Sequence, residues 1–286
     1  MANESLSTRF DLHTHSTFSD GTTSPEQIAE LAKNIGLKGF ALTDHDTIDG
    51  WVTARYAAKV KGLDFLPGME LTTEEAGRSI HLLAYGTSES DERLLEELFL
   101  LRNSRLNRAK EMISRLNEDF PLDWDLVLEP EDGVYIKSVG RPHLADALVN
   151  AGYFSTRSEV FEKILTTTSR YYVPTKHLGT IEAINVVRNA GGFPVLAHPA
   201  AFRMRKPIDH SLIAELVSSG LGGIELDHPE NRPEWIPNLV TTATKHGLLV
   251  TGASDFHGAG KPNKLGEGST AAADVALIRS QVATPN

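Results

Sequence analysis

The chain has 286 residues, enough for one large domain or two small ones, and its 40% hydrophobic and 23% charged residues are typical of a soluble globular protein. It contains no cysteine, which excludes disulfides, thiolate metal sites and a cysteine nucleophile, so any metal ion must be held by nitrogen and oxygen. The net charge of −10 argues against binding long duplex nucleic acid. Without an apolar run of about 20 residues or a signal-peptide pattern, we expect a cytoplasmic protein without a membrane span.

The first 90 residues alternate between strand and helix patterns. Strands are predicted at RFDLHTH, LKGFALTDHD, LDFLPGMEL and RSIHLLAYG, and helices at SPEQIAELAKNIG and TIDGWVTARYAAKVKG. The first helix has clear ends, because Ser24 and Gln27 form a capping-box pattern around Pro25 and Gly36 is typical of a helix stop. This order predicts an α/β protein with a mainly parallel sheet or barrel.

Helical patterns dominate the middle of the chain. Residues 90 to 118 predict one long helix, and the stretch to about residue 172 is first acid-rich and then mostly helical. From Thr180 the alternation returns, with strands predicted at FPVLAHP, GIELDHP and LLVTGASDFHG. We therefore expect an α/β fold that is interrupted by an inserted, mainly helical subdomain.

Seven of the eleven histidines lie within or just past predicted strands, mostly at the C-terminal ends, where parallel α/β folds place their active sites. Carboxylates accompany them in HTHSTFSD, TDHD, GMEL and SDFH. Residues two apart in a strand point to one face, so His13 and His15 can share one cation. Imidazole and carboxylate without sulfur suit zinc, iron or manganese in hydrolytic sites with two or three metals.

Each of these residues also has an ordinary structural explanation. A single strand histidine is usually a packed or surface residue, Asp20 suits a turn before Gly21, and Asp46 suits a helix cap. The coincidence of seven strand-associated histidines with neighbouring carboxylates favours a shared metal cluster over seven unrelated positions.

Six segments in this order, DLHTHSTFSDG, ALTDHDTIDG, PGMEL, HLLAYG, VLAHP and SDFHG, resemble the PHP (polymerase and histidinol phosphatase) family. The segments GRPHLADALVNAGYF and YYVPTKHLGTIEAI are similar to its branch of small stand-alone phosphoesterases, which act on nucleotides and short RNA. The resemblance implies a distorted (β/α)7 barrel built from residues 8–90 and 173–286, with a helical insertion or cap at residues 91–172. It also implies a trinuclear metal centre at the C-terminal ends of the strands.

The resemblance further implies that three divalent metal ions, manganese, iron or zinc, are held by nine side chains, all of which carry the expected residue types here. Asp44 and Asp46 would lie beside His45 and orient it. The implied ligands are His13, His15, Glu70 and Asp255 for one ion, Glu70 again with His81 and His198 for a second, and Asp20, His45 and His257 for the third.

The expected reaction is hydrolysis of a phosphate ester through attack on phosphorus by a hydroxide that bridges metal ions. Besides the bridging carboxylate Glu70, Arg141 would stabilise the developing charge and Lys176 would supply a second cation for the substrate phosphate. His143 and His228 would donate hydrogen bonds to the substrate or protonate the leaving oxygen. Because Arg141 and His143 belong to the expected insertion, the insertion would reach over the site and select the substrate.

The expected substrate is a small phosphorylated molecule, with phosphate or a nucleotide as product. The sequence leaves open whether it is a 3′,5′-nucleoside bisphosphate or short 5′-phosphorylated RNA. One alternative is a histidinol-phosphate-type phosphatase, which the insertion and the VPTKH segment disfavour. Another is a non-catalytic metal-binding PHP module, which the full ligand set disfavours.

Overall fold

A computed structural model describes residues 6–128, 138–174 and 177–282. Within these ranges, the strands are β1 Arg9–Asp11, β2 Gly39–Leu42, β3 Asp64–Glu75, β4 Arg78–Tyr85, β5 Leu178–Gly179, β6 Phe193–Leu196, β7 Gly223–Asp227, β8 Leu249–Gly252 and β9 Thr270–Ala271. The helices are α1 Pro25–Asn34, α2 Trp51–Lys61, α3 Glu92–Leu116, α4 Trp124–Leu128, α5 Arg141–Asn150, α6 Arg157–Lys163, α7 Thr180–Asn189, α8 His210–Ser218, α9 Ile236–His246 and α10 Ala272–Gln281. None of the described helices is both long and apolar enough to cross a membrane.

The strands form one curved sheet in the order β8-β7-β6-β4-β3-β2-β1-β9, with β5 added beside β3. A parallel bridge between Thr14 and Phe256 joins the segment after β1 to the segment after β8, so the two ends of the sheet approach each other and the barrel nearly closes. Most neighbouring strands are parallel, as predicted for an α/β barrel. The predicted fold class is therefore confirmed.

Strand β4 departs from the parallel pattern, because it runs antiparallel to both β3 and β6. Only Ala76 and Gly77 separate β3 from β4, which is far too short for a parallel crossover. Both residues have positive φ, 50° and 72°, as a two-residue hairpin turn of type I′ requires. The reversal matters for the site, because it brings the N-terminal half of β4 to the edge where the parallel strands end.

Local sequence signals explain the helix ends. The Ser24 side chain accepts a hydrogen bond from the backbone N–H of Gln27, and the Gln27 side chain accepts one from the backbone of Ser24, which confirms the predicted capping box. Gly36 has φ +83° just past the end of α1, a conformation that glycine adopts without strain.

The long helix α3 belongs to two apolar clusters. Its first half packs Leu94, Leu98 and Leu101 against the barrel core. Its second half contributes to a separate cluster with α4, α5 and α6, which includes Met112, Leu144 and other residues between Ala109 and Tyr171. We call α3 to α6 the helical insertion; it has its own core and is anchored to the barrel through the start of α3.

Candidate metal centre

A buried set of imidazoles and carboxylates lies at one edge of the barrel, at or near the ends of the strands. His13 and His15 follow β1. Thr14, which lies between them, forms a parallel β-bridge with Phe256. His45 follows β2, and its backbone forms an isolated parallel β-bridge with Glu70 of β3. His81 lies in the N-terminal half of β4, opposite Thr72, so it reaches the same edge only because β4 is antiparallel. The structure brings together all nine side chains that the sequence predicts as ligands: His13, His15, Asp20, His45, Glu70, His81, His198, Asp255 and His257.

The first group consists of His13, His15, Glu70 and Asp255, all fully or almost fully buried. The Nε2 atoms of the two histidines lie 3.1 Å apart, and they are 3.1 Å and 3.0 Å from Glu70 Oε2. Asp255 Oδ1 is 3.5 Å and 3.3 Å from the same two nitrogens. Ligand atoms that share a cation at about 2.1 Å stand roughly 3.0 to 3.5 Å from one another. All five distances therefore fit one shared divalent cation.

The other oxygen of Glu70 faces a second group. Oε1 lies 2.5 Å from His81 Nδ1 and 3.0 Å from His198 Nε2. One carboxylate thus presents Oε1 to His81 and His198 and Oε2 to His13 and His15, and His45 Nδ1 is also 3.4 Å from Oε2. This is the arrangement of a ligand that bridges metal ions.

The third group consists of Asp20, His45 and His257. Asp20 Oδ1 is 3.2 Å from His257 Nε2, and Asp20 Oδ2 is 3.9 Å from His45 Nε2. The His257 ring stacks on His15 at 4.1 Å between centroids, so this group adjoins the first. His257 donates its Nδ1–H to the carbonyl of Asp255, which leaves the Nε2 lone pair facing Asp20.

The chemistry of these donors fits divalent metal ions. His45 Nδ1 and Asp255 Oδ1 are buried without a hydrogen-bond partner, which is costly unless something else satisfies them. Burial alone would raise the pKa of Glu70, but the imidazoles of His45, His81 and His13 hold it well below its usual value. Burial likewise opposes charge on His15, yet Asp255 and Glu70 raise its pKa to about 9. This strong field of buried carboxylates is what a bound cation would neutralise.

Backbone strain concentrates at this edge of the barrel. Among the described residues, four that are not glycine have positive φ, and three of them lie in or next to the cluster: Asp46, which follows His45, at 53°, His198 at 26° and Asp255 at 53°. Such conformations persist only where the surroundings impose them, and they are common at functional sites.

Asp44 and Asp46 were expected to orient His45, but their side chains bind other partners. Asp44 binds the backbone and hydroxyl of Ser16 and the hydroxyl of Ser19, and thereby fixes the loop that carries Asp20. Asp46 accepts from Arg105 and from the backbone of Thr72. Both carboxylates therefore support the ligand loops through partners other than His45.

Glu225 in β7 is a buried carboxylate that the sequence reasoning missed. Its Oε1 lies 3.1 Å from His13 Nδ1, and its Oε2 accepts a hydrogen bond of 2.8 Å from the backbone N–H of His198. It thus holds a residue from each of the first two groups, with the Nε2 of His13 left facing Glu70. The available signal was GIELDHP, in which Glu225 lies between the buried apolar residues Ile224 and Leu226.

Replacing Glu225 by Gln is expected to weaken metal binding about 10- to 100-fold, because carboxylates that orient ligating histidines typically contribute that much. Gln keeps the size of the side chain but loses the negative charge. That charge favours the form of His13 in which Nδ1 carries the proton and donates it to the carboxylate in a hydrogen bond. Metal affinity is measured by titration against a metal buffer, with the exposed Glu215→Gln as the matched control. Wild-type affinity in Glu225→Gln would contradict the role assigned to this carboxylate.

A cavity of about 700 Å³ opens beside the cluster, between the barrel and the helical insertion. Asp20, His45, His81 and His257 reach it from the cluster. Eight basic side chains also line it, although the chain as a whole is acidic: Arg78, Arg105, Arg108, Arg141, Arg203, Arg205, Lys206 and Lys261. A cationic cavity of this size beside a buried cluster is suited to a small anionic ligand.

The three described residues predicted to contact substrate lie in different surroundings. Arg141 lines the cavity, with its guanidinium near the rings of Phe161 and Tyr172 at 5.5 Å and 5.9 Å. His143 uses both ring nitrogens for backbone hydrogen bonds, with Ser19 and Gly140. His228 accepts the backbone N–H of Glu230 at Nδ1, and its buried Nε2 has no hydrogen-bond partner. Lys176 lies outside the described residues.

Comparisons with known proteins agree with this geometry. The PHP domain family matches residues 11–173. The chain is 30% identical to a 3′,5′-nucleoside bisphosphate phosphatase from Chromobacterium violaceum over 88% of each chain. It is also 30% identical to the 5′-3′ exoribonuclease Rnm of Salmonella typhimurium, covering 87% of this chain and 85% of that enzyme.

A solved structure shares the whole fold. A proposed metal-dependent phosphoesterase from Bifidobacterium adolescentis is 41% identical, covers 96% of each chain and superposes with a TM-score of 0.92. The family match, the relatives and the shared fold agree. This chain therefore belongs to the PHP family, among its metal-dependent phosphoesterases.

Proposed function

We propose that this protein hydrolyses phosphate esters of small nucleotides, either 3′,5′-nucleoside bisphosphates or short 5′-phosphorylated RNA. The observation that carries the proposal is the position of the cationic cavity, which borders directly on the buried histidine and carboxylate cluster. Relatives that are named as a bisphosphate phosphatase and an exoribonuclease support the same substrate class. The insertion lines one side of the cavity and narrows the space beside the cluster, which disfavours long duplex nucleic acid.

The three groups of side chains would hold three divalent ions, with manganese, iron and zinc all compatible with nitrogen and oxygen donors. Bound ions of this kind lower the pKa of a coordinated water and neutralise phosphate oxygens. Glu70 would be the shared ligand of the first two ions, because its two oxygens face different groups. Without its charge, neither group would be complete.

The cavity arginines would receive the substrate phosphates. Arg141 is well suited, because its guanidinium is held beside two aromatic rings and donates to the carbonyl of Leu165 through one nitrogen, leaving other donors for a phosphate. Burial lowers its pKa, which reflects the cost of the charge and the gain available from an anionic partner. Lys176 is proposed as a second phosphate ligand on sequence resemblance alone.

His228 is proposed to donate a hydrogen bond to a substrate oxygen rather than the proton itself, because a neutral imidazole that gave up its Nε2 proton would become an imidazolate. Since Nδ1 accepts the N–H of Glu230, a neutral ring carries its proton on Nε2, which is 3.9 Å from both Asp255 Oδ2 and Glu225 Oε2. For His143 the hydrogen bonds favour a positioning role over the predicted substrate contact, because neither ring nitrogen is left for a ligand.

The substrate assignment is tested with purified, manganese-loaded protein and a panel of phosphate esters. Release of phosphate from 3′,5′-nucleoside bisphosphates, or of nucleotides from short 5′-phosphorylated RNA, is the expected result. Histidinol phosphate is the discriminating control, since preferential turnover of it would select the alternative phosphatase. Absence of turnover on every substrate despite bound metal would favour a non-catalytic binding module.

Replacing Arg141 by Ala is expected to lower kcat/KM about 10- to 100-fold, since a hydrogen bond to a charged group contributes roughly 1.5 to 3 kcal/mol. Arg141→Lys should recover little, because an ammonium cannot replace the planar fork that lies beside Phe161 and Tyr172. Kinetics and metal content are measured together, with the exposed Arg93→Ala as control. Unchanged kcat/KM, or a loss of metal that accounts for the effect, would refute direct binding of substrate by Arg141.

A further inference from the structure

The three ligands of the third group sit on three different loops of the barrel. Asp20 follows β1, His45 follows β2, and His257 follows β8. Loops move more easily than strands, so three side chains on separate loops form a site only if something holds the loops in place. Each of these loops is contacted by a polar side chain of the helical insertion.

His143 of α5 holds the first loop. Its Nε2–H donates to the carbonyl of Ser19, the residue before Asp20, at 2.7 Å. Its Nδ1 accepts the N–H of Gly140, the residue that caps α5, at 2.9 Å. The ring therefore links the start of an insertion helix directly to the ligand loop.

Arg105 of α3 holds the second loop. Its Nε donates to Asp46 Oδ2 at 2.5 Å, and its NH2 group donates to the hydroxyl of Thr72. Asp46 follows His45 immediately and has the strained φ of 53°, so the contact helps to fix the backbone that presents His45.

Arg157 of α6 holds the third loop. Its guanidinium is paired with Asp146 of α5 and donates to the carbonyl of Gly260 at 3.2 Å. Gly260 ends the short 3₁₀ segment that follows His257. The backbone N–H of Thr22 donates to the carbonyl of His257 at 3.0 Å, so the first and third loops are also tied to each other.

The first two groups have supports of a different origin. His13 and the backbone of His198 are held by Glu225 of β7, and Asp255 is held by Lys261, which follows β8. These supports belong to the barrel itself. Among the described residues, His143, Arg105 and Arg157 of the insertion each contact a loop of the third group, and Arg105 also reaches Thr72 of β3.

We propose that the helical insertion controls the third metal position, so that docking of the insertion on the barrel and occupancy of that position stabilise each other. Resting on the proposed metal-dependent function, this assigns His143, Arg105 and Arg157 as positioning residues. Because coupling between two sites is reciprocal, loss of an insertion contact weakens metal binding, and loss of the metal loosens the insertion. Removing one such support is expected to weaken the third site about 10- to 100-fold.

The test counts metal ions per chain at defined free manganese concentrations for full-length wild type, His143→Ala and Arg157→Ala. Wild type should hold three ions at a concentration where each variant holds two, with the first two affinities unchanged. His143→Gln should restore the third ion, since an amide can both donate to Ser19 and accept from Gly140. Lys163→Ala, an exposed change at the opposite end of α6 from Arg157, is the matched control.

Several outcomes would overturn the proposal. Wild-type affinity for the third ion in both alanine variants contradicts it, and so does equal weakening of all three sites. If wild type itself binds no metal, the proposed function fails, which is distinguishable from failure of the coupling alone.

A second measurement guards against a variant that does not fold. Amide hydrogen exchange in α5 and α6 of the wild type should slow when the third ion binds and should not respond to the first two. An exchange rate in α5 and α6 that does not change when the third ion binds would also contradict the coupling.

Discussion

Replacing Glu70 by Gln is expected to lower kcat/KM on the order of 10³-fold or more, equivalent to about 4 kcal/mol of transition-state stabilisation. The reason is geometric: one oxygen of Glu70 faces His13 and His15, and the other faces His81 and His198. Gln preserves the shape but removes the charge that both groups share. At least one metal position should become empty, which elemental analysis of the purified variant measures.

The control for this variant is Glu74→Gln, which removes the same charge from the same strand at an exposed position. Glu74→Gln should keep both metal content and turnover. Full activity and full metal content in Glu70→Gln would show that the carboxylate is not a shared ligand, and the assignment of the first two groups would have to be abandoned.

Removing the metals with a chelator is expected to abolish turnover and to lower the melting temperature. An ion present at about 1,000 times its dissociation constant stabilises the folded state by about 4 kcal/mol, and each kcal/mol shifts the melting temperature of a chain this long by roughly 2 to 4 °C. Loss of even one ion should therefore lower the melting temperature by about 8 °C or more. Differential scanning calorimetry before and after chelation measures the shift.

Re-addition of manganese, iron or zinc should restore both the melting temperature and the turnover, and the most effective ion identifies the working metal. A chelator already saturated with calcium serves as the control for effects of the chelator itself. Turnover that survives complete removal of metal, verified by elemental analysis, would contradict a metal-dependent reaction.

The sequence predicted those parts of the fold that depend on local patterns. Strand-helix alternation and the capping box at Ser24 both leave periodic or positional signals. The antiparallel direction of β4 was not predicted, although the two-residue gap at Ala76 and Gly77 carried the information. Contacts between distant elements, such as the attachment of α3 to the barrel through Leu94 and Leu98, have no local signal at all.

In the site, too, residues with a local sequence signal were predicted, and residues that depend on contacts between distant elements were not. The residues alone indicated a cluster of histidines and carboxylates near strand ends, the family resemblance implied the nine ligands, and the structure brings those nine side chains together. Glu225 was missed because a single acidic residue in a strand looks like an ordinary solvent-facing position until its partners are known. The arginines at 203 and 205 reach the cavity from a loop whose position is set by tertiary packing, so sequence periodicity could not select them.

The central claim is that water attacks phosphorus at this buried cluster. Its most direct test is to incubate the manganese-loaded protein with a 3′,5′-nucleoside bisphosphate, or with short 5′-phosphorylated RNA, in ¹⁸O-labelled water, and to weigh the phosphorus-containing product by mass spectrometry. We predict one ¹⁸O atom in each phosphate released from the bisphosphate, or in the 5′-phosphate newly formed on the shortened RNA, and about 10³-fold less product from the Glu70→Gln variant. Absence of label from the phosphate that hydrolysis forms, label in the alcohol product, or no hydrolysis of either substrate by fully metal-loaded protein would contradict the account.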